Sequence, residues 1–209
     1  MPPSAWKPAT RSAIHAAAMA VAETLNPRPY AVVGGAACML LGSMRLTEDV
    51  DLVMPRGTVA EYRKLFRTPE AESRGFTTGT EQPRHTFHGA ERALVEFLSP
   101  AGMFRGAFDE NTPTVVVDRV RVLHPLNLLD AKCESVFTRG EHKKHTDAED
   151  IRFLLAYCAD NGLEITFQNV PHAHPEAVEH LMSEGWVPRE AWEKAGYVPG
   201  EGWQAAKTS

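Results

Sequence analysis

Cysteine is scarce in this chain: the three present, Cys38, Cys133 and Cys158, are odd in number and sit within apolar, helix-like patterns. That excludes a disulfide framework or a cysteine zinc site and marks them as small buried hydrophobes of a reducing compartment. Long apolar runs are missing as well, none approaching the roughly 20 residues that a membrane helix needs. The opening residues, Met1-Pro-Pro-Ser-Ala-Trp-Lys7, lack the basic-then-apolar plan of a secretion signal, so a cytoplasmic location is expected. Nor is there a dense lysine and arginine block. At a net charge of −5, one short basic strip, Arg139 to His145, argues against an extended nucleic-acid footprint.

What remains is ample for a core. Hydrophobic residues make up 43% of 209, the size of one ordinary domain, or of a core with a helical appendage. Arg11 to Leu25 carries Ile14, Ala17, Ala18, Val21 and Leu25 at helical spacing, and Pro27 and Pro29 stop it. Thr58 is placed to cap a helix through about Phe66, with Val59, Tyr62, Leu65 and Phe66 as its buried face. Thr68 to Pro83 reads as a loop with one weak strand near Phe76. His85 to Leu98 reads as two strands joined near Gly89. A loop anchored by Met103, Phe104 and Phe108 leads to Thr114–Asp118 and Arg119–Leu123, a strand pair or one bent strand.

The most informative stretch is Tyr30 to Val53. An apolar strand ends in Gly34-Gly35, a run of helix formers spans Ala36 to Met44, and a second strand carries Asp49 and Asp51. Two glycines let the backbone turn sharply and approach a ligand, and a helix start offers free N–H groups to a phosphate. Residues i and i+2 of a strand share a face, which puts the two carboxylates about 6–7 Å apart. Two acids aimed at one point beside a phosphate cradle point to Mg²⁺ and a nucleoside triphosphate. Taken singly, the same pieces describe an ordinary strand–turn–helix with solvated acids at a strand end.

Val33-Gly34-Gly35 followed by Asp49-Val50-Asp51-Leu52 resembles the signature of the nucleotidyltransferase superfamily, with the DNA polymerase β-like catalytic fold. The resemblance implies an α+β fold: a mixed β-sheet packed on helices, then a helical C-terminal half, dividing as 1–124 and 125–209. It implies that Asp49 and Asp51 hold Mg²⁺, with Glu96 as the third metal-side carboxylate, although Glu96 also reads as a solvent-facing strand residue. Gly34, Gly35 and the helix start at Ala36 would hold phosphates, and Arg45 or Lys132 would neutralise the leaving pyrophosphate. The expected activity moves a nucleoside monophosphate from an NTP, ATP among them, to a hydroxyl or amine. A small molecule or a protein is favoured over a tRNA 3′ end as acceptor. A protein that keeps the fold but binds a ligand, or performs other chemistry on a small metabolite, is the alternative.

Pro125 opens a helix with Leu126, Leu129, Cys133, Val136 and Phe137 on one stripe and Lys132 at its edge. Thr146-Asp-Ala-Glu149 reads as a capping box that starts the next helix, which Asn161-Gly162 ends. Asp147 and Asp150 would then lie in a first turn, where the helix dipole favours anions. The run Leu126 to Leu155 is similar to the helical half of the abortive-infection toxin type of nucleotidyltransferase. That resemblance implies that Lys132, Asp147 and Asp150 complete the nucleotide site. Without it, Lys132 reads as a surface lysine with its stem along the stripe. His172, His174 and His180 read as solvated histidines. Trp186, Trp192, Tyr197 and Trp203 read as aromatic anchors of a tail, suited to walling a pocket or meeting a second copy in a homodimer.

Overall fold

The computed structural model describes residues 9–78, 85–98 and 107–203, without the side chains of Thr78, Glu141 and His142. The expected anchors Met103 and Phe104 lie outside them. The chain divides into two compact units, Met1–Leu123 and His124–Ser209.

In the first unit, α1 (Arg11–Leu25) is capped by Thr10, whose Oγ1 accepts from the Ala13 N–H at 3.2 Å. Ile14, Ala17, Ala18, Val21 and Leu25 form its buried face, and the helix packs on the sheet. That sheet is built from β1 (Ala31–Val33), β2 (Asp49–Val53), β3 (Phe76–Thr78), β4 (His85–His88), β5 (Arg92–Leu98), β6 (Thr114–Val117) and β7 (Val120–Leu123). Their order is β3-β4-β5-β2-β1-β7-β6. The inner pairs β2–β5 and β1–β7 are parallel, while β1–β2 and both edges are antiparallel. The fold class is α+β with a mixed sheet, as expected. On one face Phe66 packs against Phe76, His85 and Phe97 at centroid distances of 4.7, 5.2 and 5.1 Å.

Several local expectations need correction. The helix after the glycines, α2 (Gly34–Leu40), begins at Gly34 rather than Ala36 and has seven residues, so Met44 is not helical. The Thr58 helix, α3 (Val59–Leu65), receives no side-chain cap; the Thr58 hydroxyl donates to the Pro55 carbonyl at 2.7 Å instead. Tyr62 and Phe66 are buried there, and Val59 and Leu65 only half-buried. The presumed loop after it holds a short helix, α4 (Pro69–Ser73), with Thr68 accepting from the Ala71 N–H and Pro69 at the first turn. The last two strands are a hairpin, turning at Asp118 and Arg119.

The second unit comprises α5 (Pro125–Thr138), α6 (Glu141–Asp160), α7 (Pro175–Ser183), α8 (Arg189–Lys194) and a ribbon of β8 (Tyr197–Val198) with β9 (Gly202–Trp203). The capping box at Thr146 does not form. Helix α6 starts at Gly140, and Thr146 lies inside it with its hydroxyl donating to the Lys143 carbonyl at 2.8 Å. Each residue added to an existing helix gains a hydrogen bond without a new nucleation cost, so the Glu-His-Lys-Lys-His run extends the helix rather than linking to it. Asp147 and Asp150 therefore sit in the second and third turns, and the helix dipole does not account for them.

The tail aromatics build this unit's own core. Trp192 and Tyr197 are buried, and the Trp203 ring lies 6.0 and 5.3 Å from them, its Nε1–H donating to the Ala173 carbonyl at 2.8 Å. Trp186 stacks on His145 at 5.3 Å. The histidines are not simply solvated. His172 contacts Asp130 through both its backbone N–H, at 2.9 Å, and its ring Nδ1, at 3.0 Å. His174 caps α7 and pairs with Glu176 at 2.9 Å, and the His180 ring lies 5.6 Å from Phe137.

Candidate active site

Asp49 and Asp51 stand on one face of β2, and in the parallel β2–β5 pairing Asp51 lies directly opposite Glu96. Val50 and Leu52 of β2 and Val95 and Phe97 of β5 point the other way and are buried. Apolar alternation thus fixes the strands in the core and leaves the acids together on the opposite face. One carboxylate oxygen from each of Asp49, Asp51 and Glu96 lies within 4.8 Å of the others, and all three residues are half-buried. Among the described residues this is the one group of three or more His, Cys, Asp or Glu with metal-binding spacing. Three anions so close repel one another, and an arrangement of hard oxygen donors suits Mg²⁺ or a similar hard cation, not zinc.

The glycine turn is fitted to these acids. Gly34 has φ +67°, and a Cβ there would sit 2.6 Å from Asp51 Oδ2. Glycine is required twice over, by the backbone conformation and by the nearness of the carboxylate. A Cβ on Gly35 would overlap the Arg45 guanidinium and lie 2.8 Å from Thr47 Oγ1. Arg45 is therefore folded against the turn, with one Nη1–H donating to the Leu46 carbonyl at 3.0 Å. Gly34, Gly35 and Ala36 form the first turn of α2, and the preceding Val33 supplies no side-chain cap. Thr47 was not among the expected residues. Its hydroxyl donates to Asp49 Oδ1 at 3.2 Å and orients that carboxylate. Its position two residues before Asp49 on an extended approach is the only signal the sequence carried for it.

Lys132, Asp147 and Asp150 are also brought together, within the second unit. Lys132 Nζ lies 2.7 Å from Asp147 Oδ1 and 2.8 Å from Asp150 Oδ2, and both aspartates are fully buried. The Ser135 hydroxyl donates to Asp147 Oδ2 at 2.9 Å, and Arg139 Nη1 stands 3.6 Å from Asp147 Oδ1. Two buried carboxylates are thus balanced by one buried ammonium and one half-exposed guanidinium. Lys132 is itself buried, not a surface lysine. Ser135 and Arg139 were not expected; Ser135 follows Lys132 by three residues on the same helix and so shares its face.

No helix of the described residues is long and apolar enough to cross a membrane. No family model matches the chain, and no curated protein sequence matches it. Solved structures do match. JHP933 from Helicobacter pylori aligns with TM-score 0.51 and 17% identity, over 90% of this chain and 89% of its own. An H. pylori protein named only provisionally as a nucleotidyltransferase gives 0.49 and 15%, over 89% of this chain and 82% of that one. The antibiotic-resistance factor ANT(2'')-Ia gives 0.45 and 18%, over 83% and 97%. The two weaker likenesses add nothing to the first. At such identity the likeness to JHP933 establishes a shared fold and no more.

Proposed function

We propose that this chain is a Mg²⁺-dependent nucleotidyltransferase that moves a nucleoside monophosphate from an NTP to a hydroxyl or amine. One observation carries the reading: three carboxylate oxygens converge within 4.8 Å beside a turn whose Gly34 has no room for a side chain. Asp49, Asp51 and Glu96 would hold the metal, which when bound supplies charge neutralisation for the phosphates and acidifies the attacking hydroxyl. The Gly34, Gly35 and Ala36 N–H groups would donate to phosphate oxygens, and Arg45 would bring positive charge to the same turn. The acceptor oxygen or nitrogen bonds to the α-phosphorus, the bond to the bridging oxygen breaks, and pyrophosphate leaves. Glu96 accepts the acceptor's proton. Thr47 holds Asp49 in its orientation.

The resemblance of the second unit to the abortive-infection toxin type rests on Lys132, Asp147 and Asp150, which are brought together there. The shortness of the one basic strip favours a small molecule or protein hydroxyl over an RNA end. The test is mass spectrometry of small metabolites, proteins and pooled tRNA after incubation with each NTP and Mg²⁺. One acceptor class should gain the mass of one nucleoside monophosphate, and Asp49→Asn, Asp51→Asn or Glu96→Gln should slow the gain by about 10²–10³-fold. Transfer that survives in both aspartate variants overturns the assignment.

A further inference from the structure

A cavity of about 360 Å³ lies in the first unit between the C-terminal part of α1, the start of β1 and the β6–β7 hairpin. Met19, Ala22 and Val116 give it apolar walls; Asn26, Tyr30, Arg119 and Arg121 give it hydrogen-bond donors, with Glu23 also on its lining. Tyr30 precedes β1, whereas the acids gather where β1 ends at Val33 and meets Asp51. Arg121 likewise lies at the beginning of β7, which runs parallel to β1. The cavity is thus at the opposite end of the central strands from the carboxylate cluster.

Three features of the cavity call for an anion. First, among the described residues neither the Arg119 nor the Arg121 side chain has a hydrogen bond or an ion pair, although Glu23 lines the same space. Arg119 is exposed and Arg121 half-buried along this open cleft, and a planar fork of donors suits a carboxylate or phosphate. Second, the Arg121 backbone N–H donates to the Tyr30 hydroxyl oxygen at 3.3 Å. The tyrosine oxygen is thereby held as an acceptor, leaving its own O–H to donate. Third, the hairpin turns with Asp118 at φ +47° and Arg119 at φ +69°. Such turns favour asparagine and glycine. Asp118 is itself a residue such turns favour at the first position, whereas nothing local accounts for an arginine at the second. A residue held in an unfavourable backbone region is a pointer to function once a cavity is present for it to serve.

We infer that Arg119 and Arg121 form a second ligand site, for a small metabolite bearing a phosphate or carboxylate group, separate from the metal-binding acids. The oxyanion would lie between the two guanidiniums with the Tyr30 hydroxyl donating to it. The body of the ligand would occupy the apolar wall, and Glu23 would accept from a ligand hydroxyl or amine. The volume is at the small end of metabolite pockets. Binding there requires neither a divalent metal nor nucleotidyl transfer.

The site is tested by calorimetric titration of the full chain with inorganic phosphate and with citrate, in the absence of divalent metal. At least one should bind with one-site behaviour, phosphate alone marking a phosphoryl ligand and citrate alone a carboxylate one. Arg119→Gly suits the left-handed turn position and should fold as well as the parent or better. It and Arg121→Gln should each weaken the bound anion about tenfold. Failure of both anions to bind, or full affinity in the Arg119→Gly and Arg121→Gln variants, would overturn the inference.

Discussion

Asp147 and Asp150 of the second unit are fully buried, and each lies within 2.8 Å of the Lys132 ammonium. Asp49 and Asp51 of the first unit are half-buried and have a third acid, Glu96, as neighbour. The chemistry of the side chains is the same, but the compensation differs. Where burial is complete, the chain itself supplies the cation, because an unpaired buried carboxylate would be too costly. Where burial is partial and acids converge, local solvent lowers the repulsion, and the geometry suits a cation from solution. His85 is a third case. It is buried among aromatic rings and near Arg63 and Arg67, and the fold keeps it neutral: burial first, then the two arginines, lowers its pKa from 6.5 to about 4.

The contrast is broken most forcefully at Lys132. Lys132→Met should destabilise the protein by about 3–5 kcal/mol in urea unfolding, since it strands two buried carboxylates. Adding Asp147→Asn and Asp150→Asn should recover a large part of that loss. If melting is instead unchanged while NTP affinity falls, the cluster serves the nucleotide and not the packing of its unit.

At His85 the effect is smaller and depends on pH. The unfolded chain gains this proton near pH 6.5 and the folded chain only near pH 4, so the contribution is full above pH 6.5 and vanishes as pH falls to 4. Over that window the parent should lose roughly 3 kcal/mol more than His85→Phe. Parallel stability curves for the two proteins would show that the histidine is already protonated in the fold.

The smallest change is expected at the acid cluster. Asp51→Asn removes one of three converging charges and should alter stability by no more than about 0.5 kcal/mol, as a gain that is largest at low salt. A loss comparable to that of Lys132→Met would place Asp51 with the compensated, structural carboxylates.

The order Gly34-Gly35 and Asp49-x-Asp51 was legible because it is local. A turn needing positive φ selects glycine, and the period of a strand puts i and i+2 on one face. The apolar stripe of α1, the Leu129, Cys133 and Val136 part of that of α5 and the Asn161-Gly162 stop were legible for the same reason, whereas Phe137 is exposed, Leu126 half-buried and Leu128 buried. Local signals also misled where two competed. Thr146 and Glu149 spell a capping box, but the helix formers before them extended α6 back to Gly140. Thr68-Pro69 followed by Glu70 and Glu72 spelled a helix start that the surrounding polar, glycine-rich composition obscured.

By itself, the chain's sequence determined which residues can carry chemistry and where many helices and strands fall, since residue type and hydrophobic period act over a few neighbours. The α+β class came from the resemblance of the Gly34-Gly35 and Asp49-x-Asp51 signature. The tertiary structure alone decided who meets whom. The parallel register that sets Glu96 beside Asp51 joins strands 45 residues apart. The closeness of Lys132 to Asp147 and the shared cavity of Tyr30 with Arg119 depend on how elements distant in the chain pack. No local propensity encodes those distances, because they follow from burying whole faces of helices and sheet at once.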